Sequence, residues 1–186
     1  MGTTVLGASA MFTLYTYVAP VLAELTRASN TFIALSLSLI GIGFTLGNVI
    51  GGRMADWSLD GATKVLLAAL AVIMFVLPLA FPLHMSAAIG LLAWGAAAFA
   101  VVPPLQMRVM QAAKDAPGLA SSINVGAFNL GNALGAALGG GVITLGLGYI
   151  AVPMAGGSLA AAGLWLAWLG SARSRASVTP KQVEPS

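Results

Sequence analysis

Cysteine is absent from the 186 residues, histidine occurs once, and Asp and Glu together number five. Without cysteine there is no disulfide framework and no thiol chemistry. One histidine and five acids supply too few ligands for a metal site and too few proton carriers for an acid–base enzyme. No metal, no cofactor and no enzymatic activity are therefore expected. Charge of either sign is scarce at 7%, against about 25% in a soluble domain. So little charge cannot cover a water-facing surface. The net charge of +3 comes from scattered cations rather than a clustered basic face, so no nucleic-acid partner is expected.

What the chain has instead is apolar length. Hydrophobic residues make up 59% of it. A helix that crosses a bilayer needs about 20 of them in a row. Six runs qualify, at residues 3–25, 31–52, 64–81, 85–109, 118–143 and 149–170. No Lys or Arg precedes the first run, and the run is too long for a signal-peptide core, so it reads as a spanning helix. Gly146 and Gly148 break the chain after the fifth run. The fold class expected is all-α integral membrane, with residues 1–170 forming one six-helix bundle. Residues 171–186 form a polar tail expected to be disordered in the cytoplasm.

Two stripes of small residues stand out. Gly43, Gly47 and Gly51 recur every four positions in the second run, and Gly131, Gly135 and Gly139 do so in the fifth. Four-residue spacing lays a bare track along one helix face, on which another backbone can come close; in lipid that contact replaces the missing hydrophobic drive. The sequence around the first stripe echoes the second: Phe44-x-Leu46-Gly47-Asn48-x-x-Gly51 returns as Phe128-x-Leu130-Gly131-Asn132-x-x-Gly135, 84 residues on. Pro20 maps to Pro104 at the same offset. The implied unit is three helices, about 1–83 and 84–170. An odd number of crossings reverses direction on repetition, so the copies are expected to be inverted, a device of secondary transporters.

The cations set an orientation. With both termini in the cytoplasm, Arg53, Lys64, Arg108, Lys114, Arg173, Arg175 and Lys181 fall on the inner side and Arg27 alone on the outer. Positive charge belongs inside.

Four stretches carry a family resemblance: Tyr15-Thr16-Tyr17-Val18-Ala19-Pro20, the segment Leu46 to Asp56 ending Gly51-Gly52-Arg53-Met54-Ala55-Asp56, Pro103-Pro104-Leu105-Gln106, and Ala120 through Asn124, Phe128 and Asn132 to Gly135. Over residues 2–170 the chain resembles the C-terminal six-helix half of a major facilitator superfamily transporter, of the arabinose efflux permease-like drug and sugar efflux branch. The segment through Asp56 is similar to the family's cytoplasmic loop motif, although Trp57 follows where a basic residue is common. The full family pattern has twelve helices. The missing half would hold the principal loop motif, the antiporter motif and the membrane-embedded acid.

The resemblance implies that the first, second, fourth and fifth runs line a central cavity and that the third and sixth support them. Candidate cavity residues are Tyr15, Tyr17, Trp94, Gln106, Asn124, Phe128 and Asn129. Buried amides in lipid need water, substrate or each other. Asn48 and Asn132, beside the glycine stripes, read equally as hydrogen-bonded glue between helices. Phe12, Tyr15 and Phe128 read as an aromatic wall, with the tyrosines alternatively anchoring at the membrane interface. Trp94 faces either cavity or lipid, while Trp165 and Trp168 read as interface residues. Arg53 and Asp56 read either as a cytoplasmic latch or as ordinary helix-exit charges. Glu24, the one acid near a span, pairs on paper with Arg27.

The expectation is half of a bacterial inner-membrane efflux transporter working by alternating access. Its partners would be the lipid bilayer, a small-molecule substrate, protons and a second six-helix bundle, either its own copy or an N-terminal half, docked on the Gly-lined second and fifth runs. No acid sits mid-membrane, so the coupling acid is expected in that other half. The alternative is a non-transporting truncated membrane protein or assembly partner.

Overall fold

The computed structural model describes residues 1–113 and 115–176, with side chains as far as 172. These residues form eight helices and no strand: α1 (Gly2–Tyr15), α2 (Val18–Leu25), α3 (Asn30–Trp57), α4 (Leu59–Ala80), α5 (His84–Ala100), α6 (Val102–Ala112), α7 (Pro117–Thr144) and α8 (Ala151–Ala176). Of the polar tail expected from 171, residues 171–176 are helical, as the end of α8, and residues 177–186, like Lys114, lie outside the described residues.

The first and fourth runs are each interrupted. α1 and α2 meet at a 46° bend. α5 gives way to α6 at Val101, just ahead of Pro103 and Pro104, whose rings donate no N–H to the preceding turn. The segment after α3 is more helical than expected. Ser58 ends α3 and also caps α4, accepting 3.1 Å from the Gly61 N–H, so α4 begins at Leu59 and takes Asp60 and Thr63 into its first turns. α8 continues past Gly170 to Ala176.

Four segments are long and apolar enough to cross a membrane: α3, α4, the joined α5–α6 and α8 up to Ala172. The bent α1–α2 pair makes a fifth if it counts as one span. The expected six-span count is thus met only in part. α7 has the length, 28 residues or about 42 Å. Its composition falls short because Ser121, Ser122, Asn124, Asn129, Asn132 and its glycines dilute the apolar residues.

Close packing runs along the glycine stripes. On α3, a β-carbon at Gly43 would stand 2.6 Å from the Leu92 carbonyl oxygen. At Gly47 and Gly51 it would fall closer still, on the carbonyls of Ala96 and Ala100 of α5. On α7, a β-carbon at Gly131 would stand 2.5 Å from the Val5 carbonyl oxygen, one at Gly135 would fall on that of Ser9, and one at Gly139 would stand 2.7 Å from that of Thr13. α3 therefore docks on α5, and α7 on α1. Backbone contact this tight brings Cα–H groups onto carbonyl oxygens and is open only to glycine. Each stripe is filled by a helix of the same chain, so the glycines serve packing within this bundle.

The core lies under α4 and between α1 and α8. Met11, Leu14, Leu67, Leu70, Met74, Leu77, Phe81, Leu91 and Trp94 are fully buried there. Several hydroxyls within the helices donate to the carbonyl four residues back, as Thr45 does to Gly41 and Thr144 to Gly140. That keeps serine and threonine affordable in an apolar medium. Gly146 and Gly148, at φ of 75° and 76°, turn the chain from α7 into α8.

Candidate functional site

Three helices bring a chain of polar side chains together. The Thr4 hydroxyl on α1 donates 2.9 Å to Asn124 Oδ1 on α7. The Asn124 amide donates to Gln106 Oε1 on α6, and Gln106 Nε2 donates 2.7 Å to Ser121 Oγ, one turn back on α7. Asn124 is only 4% exposed, so the network is needed to satisfy it. It borders a pocket of about 160 Å³ lined by Thr4, Gln106, Asn124 and Phe128 among others. A wider cavity of about 410 Å³ adjoins it between α1, α6 and α7, sharing Thr4 and Leu105 and reaching Arg108.

Rings continue the site. Phe128 meets Phe12 edge-on at 6.1 Å, and Phe12 meets Tyr15 at 5.6 Å. Tyr15 leans on Phe44 of α3 at 5.7 Å, and Phe44 stacks on Phe99 of α5 at 4.0 Å. Met11, Phe12, Tyr15, Phe44 and Phe99 enclose a second pocket of about 160 Å³. The polar network and the rings together draw on α1, α3, α5, α6 and α7, with none from α4 or α8.

The candidate residues separate accordingly. Gln106, Asn124 and Phe128 line one pocket, and Tyr15, 39% exposed, joins it through Phe12. Trp94 is fully buried behind Phe44, at 6.2 Å, and its indole N–H has no partner. Asn129 and Asn48 are exposed. Asn132 is half-buried with an unpartnered Oδ1, so that oxygen glues nothing. Tyr17 stands apart at the α1–α2 bend. Its hydroxyl donates 2.9 Å to the Ala136 carbonyl, and its ring covers Gly139 and Gly140. Tyr17→Phe is expected to cost about 1 kcal/mol, seen as a lower melting temperature with unchanged helix content. An unchanged melting temperature would mean the hydroxyl bond does not hold α7 to the bend.

Arg53 and Asp56 are exposed and enter no ion pair among the described residues. The charged cluster at that end lies a turn further on. Asp60 receives Lys64 at 2.6 Å, the Ser171 hydroxyl at 2.6 Å and Arg108 at 3.6 Å, joining α4, α8 and α6. Lys64 also lies over the Trp168 ring, 5.5 Å from its centroid. Neither the pairing of Asp60 with Lys64 nor their partners on α6 and α8 is part of the sequence reading, in which Asp60 precedes the third run. Among the described residues no group of His, Cys, Asp and Glu is placed to hold a metal ion.

Apolar helices of spanning length around an enclosed polar and aromatic pocket define a membrane protein with a small internal site. Comparison with known proteins gives the relationship. The chain is 56% identical over 93% of its length to the inner membrane transport protein YdhP of Escherichia coli K12, covering 44% of that protein. It is 36% identical over 83% of its length to the uncharacterized MFS-type transporter YtbD of Bacillus subtilis, and 31% identical over 87% to a probable sugar efflux transporter of Helicobacter pylori. No family model matches the chain. The chain is related to MFS-type transporters and spans about half the length of the curated relatives it matches.

Proposed function

We propose that the chain is the C-terminal half of a major facilitator transporter that exports small molecules by alternating access across a bacterial inner membrane. The observation that carries the reading is the 56% identity, over 93% of the chain, to a relative named as an inner membrane transport protein. The bundle crosses six times with both ends in the cytoplasm. α7 counts as a crossing because α1 covers its glycine face and Asn124 turns to the pocket. The orientation puts Asp60, Lys64 and Arg108 inside and Arg27 outside, as the positive-inside rule favours.

Two inverted three-helix units make up the half. The docking ladders favour this. Gly43, Gly47 and Gly51 meet Leu92, Ala96 and Ala100, and Gly131, Gly135 and Gly139 meet Val5, Ser9 and Thr13 in the same order. The second helix of each unit thus packs on the first helix of the other. The offset these contacts draw is 88 residues along the glycine helices, one turn beyond the 84 of the sequence echo.

A second six-helix bundle completes the transporter. It docks on the faces of α3 and α7 turned away from the glycines, where Leu46, Val49, Ile123, Leu130 and Leu134 stand exposed. The two bundles rock about the pocket between them. Export is driven by protons, through an acid on the other bundle. The test is vesicle reconstitution of this chain alone and together with the N-terminal half of its E. coli relative, with solute efflux followed under an imposed proton gradient. Efflux from the paired halves alone is expected. No efflux from any pairing would favour the non-transporting reading, in which the chain is a truncated membrane protein or assembly partner.

A further inference from the structure

We infer that the pocket in this half takes an uncharged, mainly apolar ring carrying one or two polar atoms, and not a polyhydroxylated sugar; this rests on the transporter reading above. Hydrogen bonding is the first argument. Thr4, Asn124, Gln106 and Ser121 are joined end to end. One N–H of each amide and the Ser121 hydroxyl proton remain, enough for one or two polar atoms and fewer than the hydroxyls that ring a sugar, and hydroxyls buried without partners are strongly rejected. The network therefore positions α1, α6 and α7 around the pocket more than it reads a polar ligand.

The rings are the second argument. Phe44 touches Tyr15, Phe99 and Trp94 at 5.7, 4.0 and 6.2 Å, which makes it the hub of the wall. Beyond the Phe12–Phe128 pair, the network pocket presents Val102, Leu105 and Val125. A flat ring can stack on or meet such faces edge-on. Each of the two pockets holds about 160 Å³, and a dry cavity of about 150 Å³ suffices for benzene. Charge is the third argument. No ionisable carboxylate, ammonium or guanidinium lines either of these pockets. A charged ligand in either would be stripped of water with no counter-ion at the wall, Arg108 lying only in the adjoining wider cavity and held there by Asp60. Phe44 and Phe99, which the sequence did not single out as cavity residues, become the residues that set specificity.

The experiment is titration calorimetry of the full chain in lipid nanodiscs with indole, arabinose and lactose as probes. Saturable indole binding and no saturable sugar binding are expected. Phe44→Leu, which keeps most of the side-chain volume, is expected to weaken indole binding about tenfold. Leu79→Ala, on the exposed face of α4, should leave it unchanged. Indole partition into lipid is common to all variants, so their differences report the site. Saturable sugar binding lost in Asn124→Ala would overturn the inference, and so would indole binding indifferent to Phe44, or no saturable binding at all. Vesicle efflux separates the two readings. Sugar export by paired halves without indole binding sinks this inference alone; indole binding without export from any pairing sinks the transporter reading alone.

Discussion

Gly47→Ala is expected to unfold the α3–α5 contact, while Gly41→Ala on the same helix leaves it intact. The new β-carbon at position 47 would land on the Ala96 carbonyl, whereas nothing lies within 4 Å of one at position 41. Overpacking of side chains costs about 1–3 kcal/mol when neighbours can shift. Here the obstacle is backbone on a straight helix, so separating α3 from α5 is the only relief, and a loss at or above about 3 kcal/mol is expected. At position 41 the helix propensity of alanine should give a gain of about 0.5–1 kcal/mol. Gly135→Ala and Gly126→Ala form the matching pair on α7, the first against Ser9 and the second in open space. Melting followed by circular dichroism in detergent reads all four. Equal melting temperatures for Gly47→Ala and Gly41→Ala would mean that α3 and α5 do not approach as described.

Asn124→Leu carries the second large effect. It removes the middle of the network, taking the acceptor from Thr4 and the donor from Gln106, in a site that is 4% exposed. Leaving buried polar groups unmet costs about 1–3 kcal/mol each, whereas removing both partners of a bond can be nearly neutral. The single variant is therefore expected to lose about 3 kcal/mol. The double variant Asn124→Leu with Gln106→Leu should recover part of it. Melting temperatures of the two variants and each single parent form the cycle. A double variant less stable than Asn124→Leu would show that the Gln106 bond to Ser121 outweighs the penalty of leaving its Oε1 unmet.

The residues that could be read in advance are those whose pattern is local. Glycines four apart mark a bare face wherever the helix goes, and Gln106 and Asn124 stand out as amides in an apolar run. The partners could not be read, because contact between α7 and α1 joins positions more than a hundred residues apart. The repeat offset shows the limit well. A track with a glycine at every fourth position matches itself when slid by one turn, so the echo of Phe44 to Gly51 fixed the kinship of α3 and α7 but not their register. Asp60 falls outside the six apolar runs, whose third starts at Lys64, yet Ser58 accepts from the Gly61 N–H and caps a helix that takes Asp60 in. Trp94 and Asn129 show the other gap. Both lie on helices that face the site, but helical rotation buries the tryptophan and exposes the amide, and few charges were present to fix that rotation. α7 is the mirror case, a helix whose hydropathy understates it because its polar residues have a pocket to serve.

The two glycine ladders differ in the wait they impose on the growing chain. Gly43 finds Leu92 only 49 residues later, whereas Val5 must wait 126 residues for Gly131. At about 5–20 residues per second, α1 spends roughly 6–25 seconds of synthesis before its covering helix exists. Throughout that interval Thr4 has no Asn124 to bond. Of the helices described, α1 is covered almost last, when α7 returns to it. A ribosome stalled between α6 and α7 would leave behind a docked α3–α5 pair and an α1 whose glycine-facing side is still uncovered, which is the species a membrane quality-control protease would meet first.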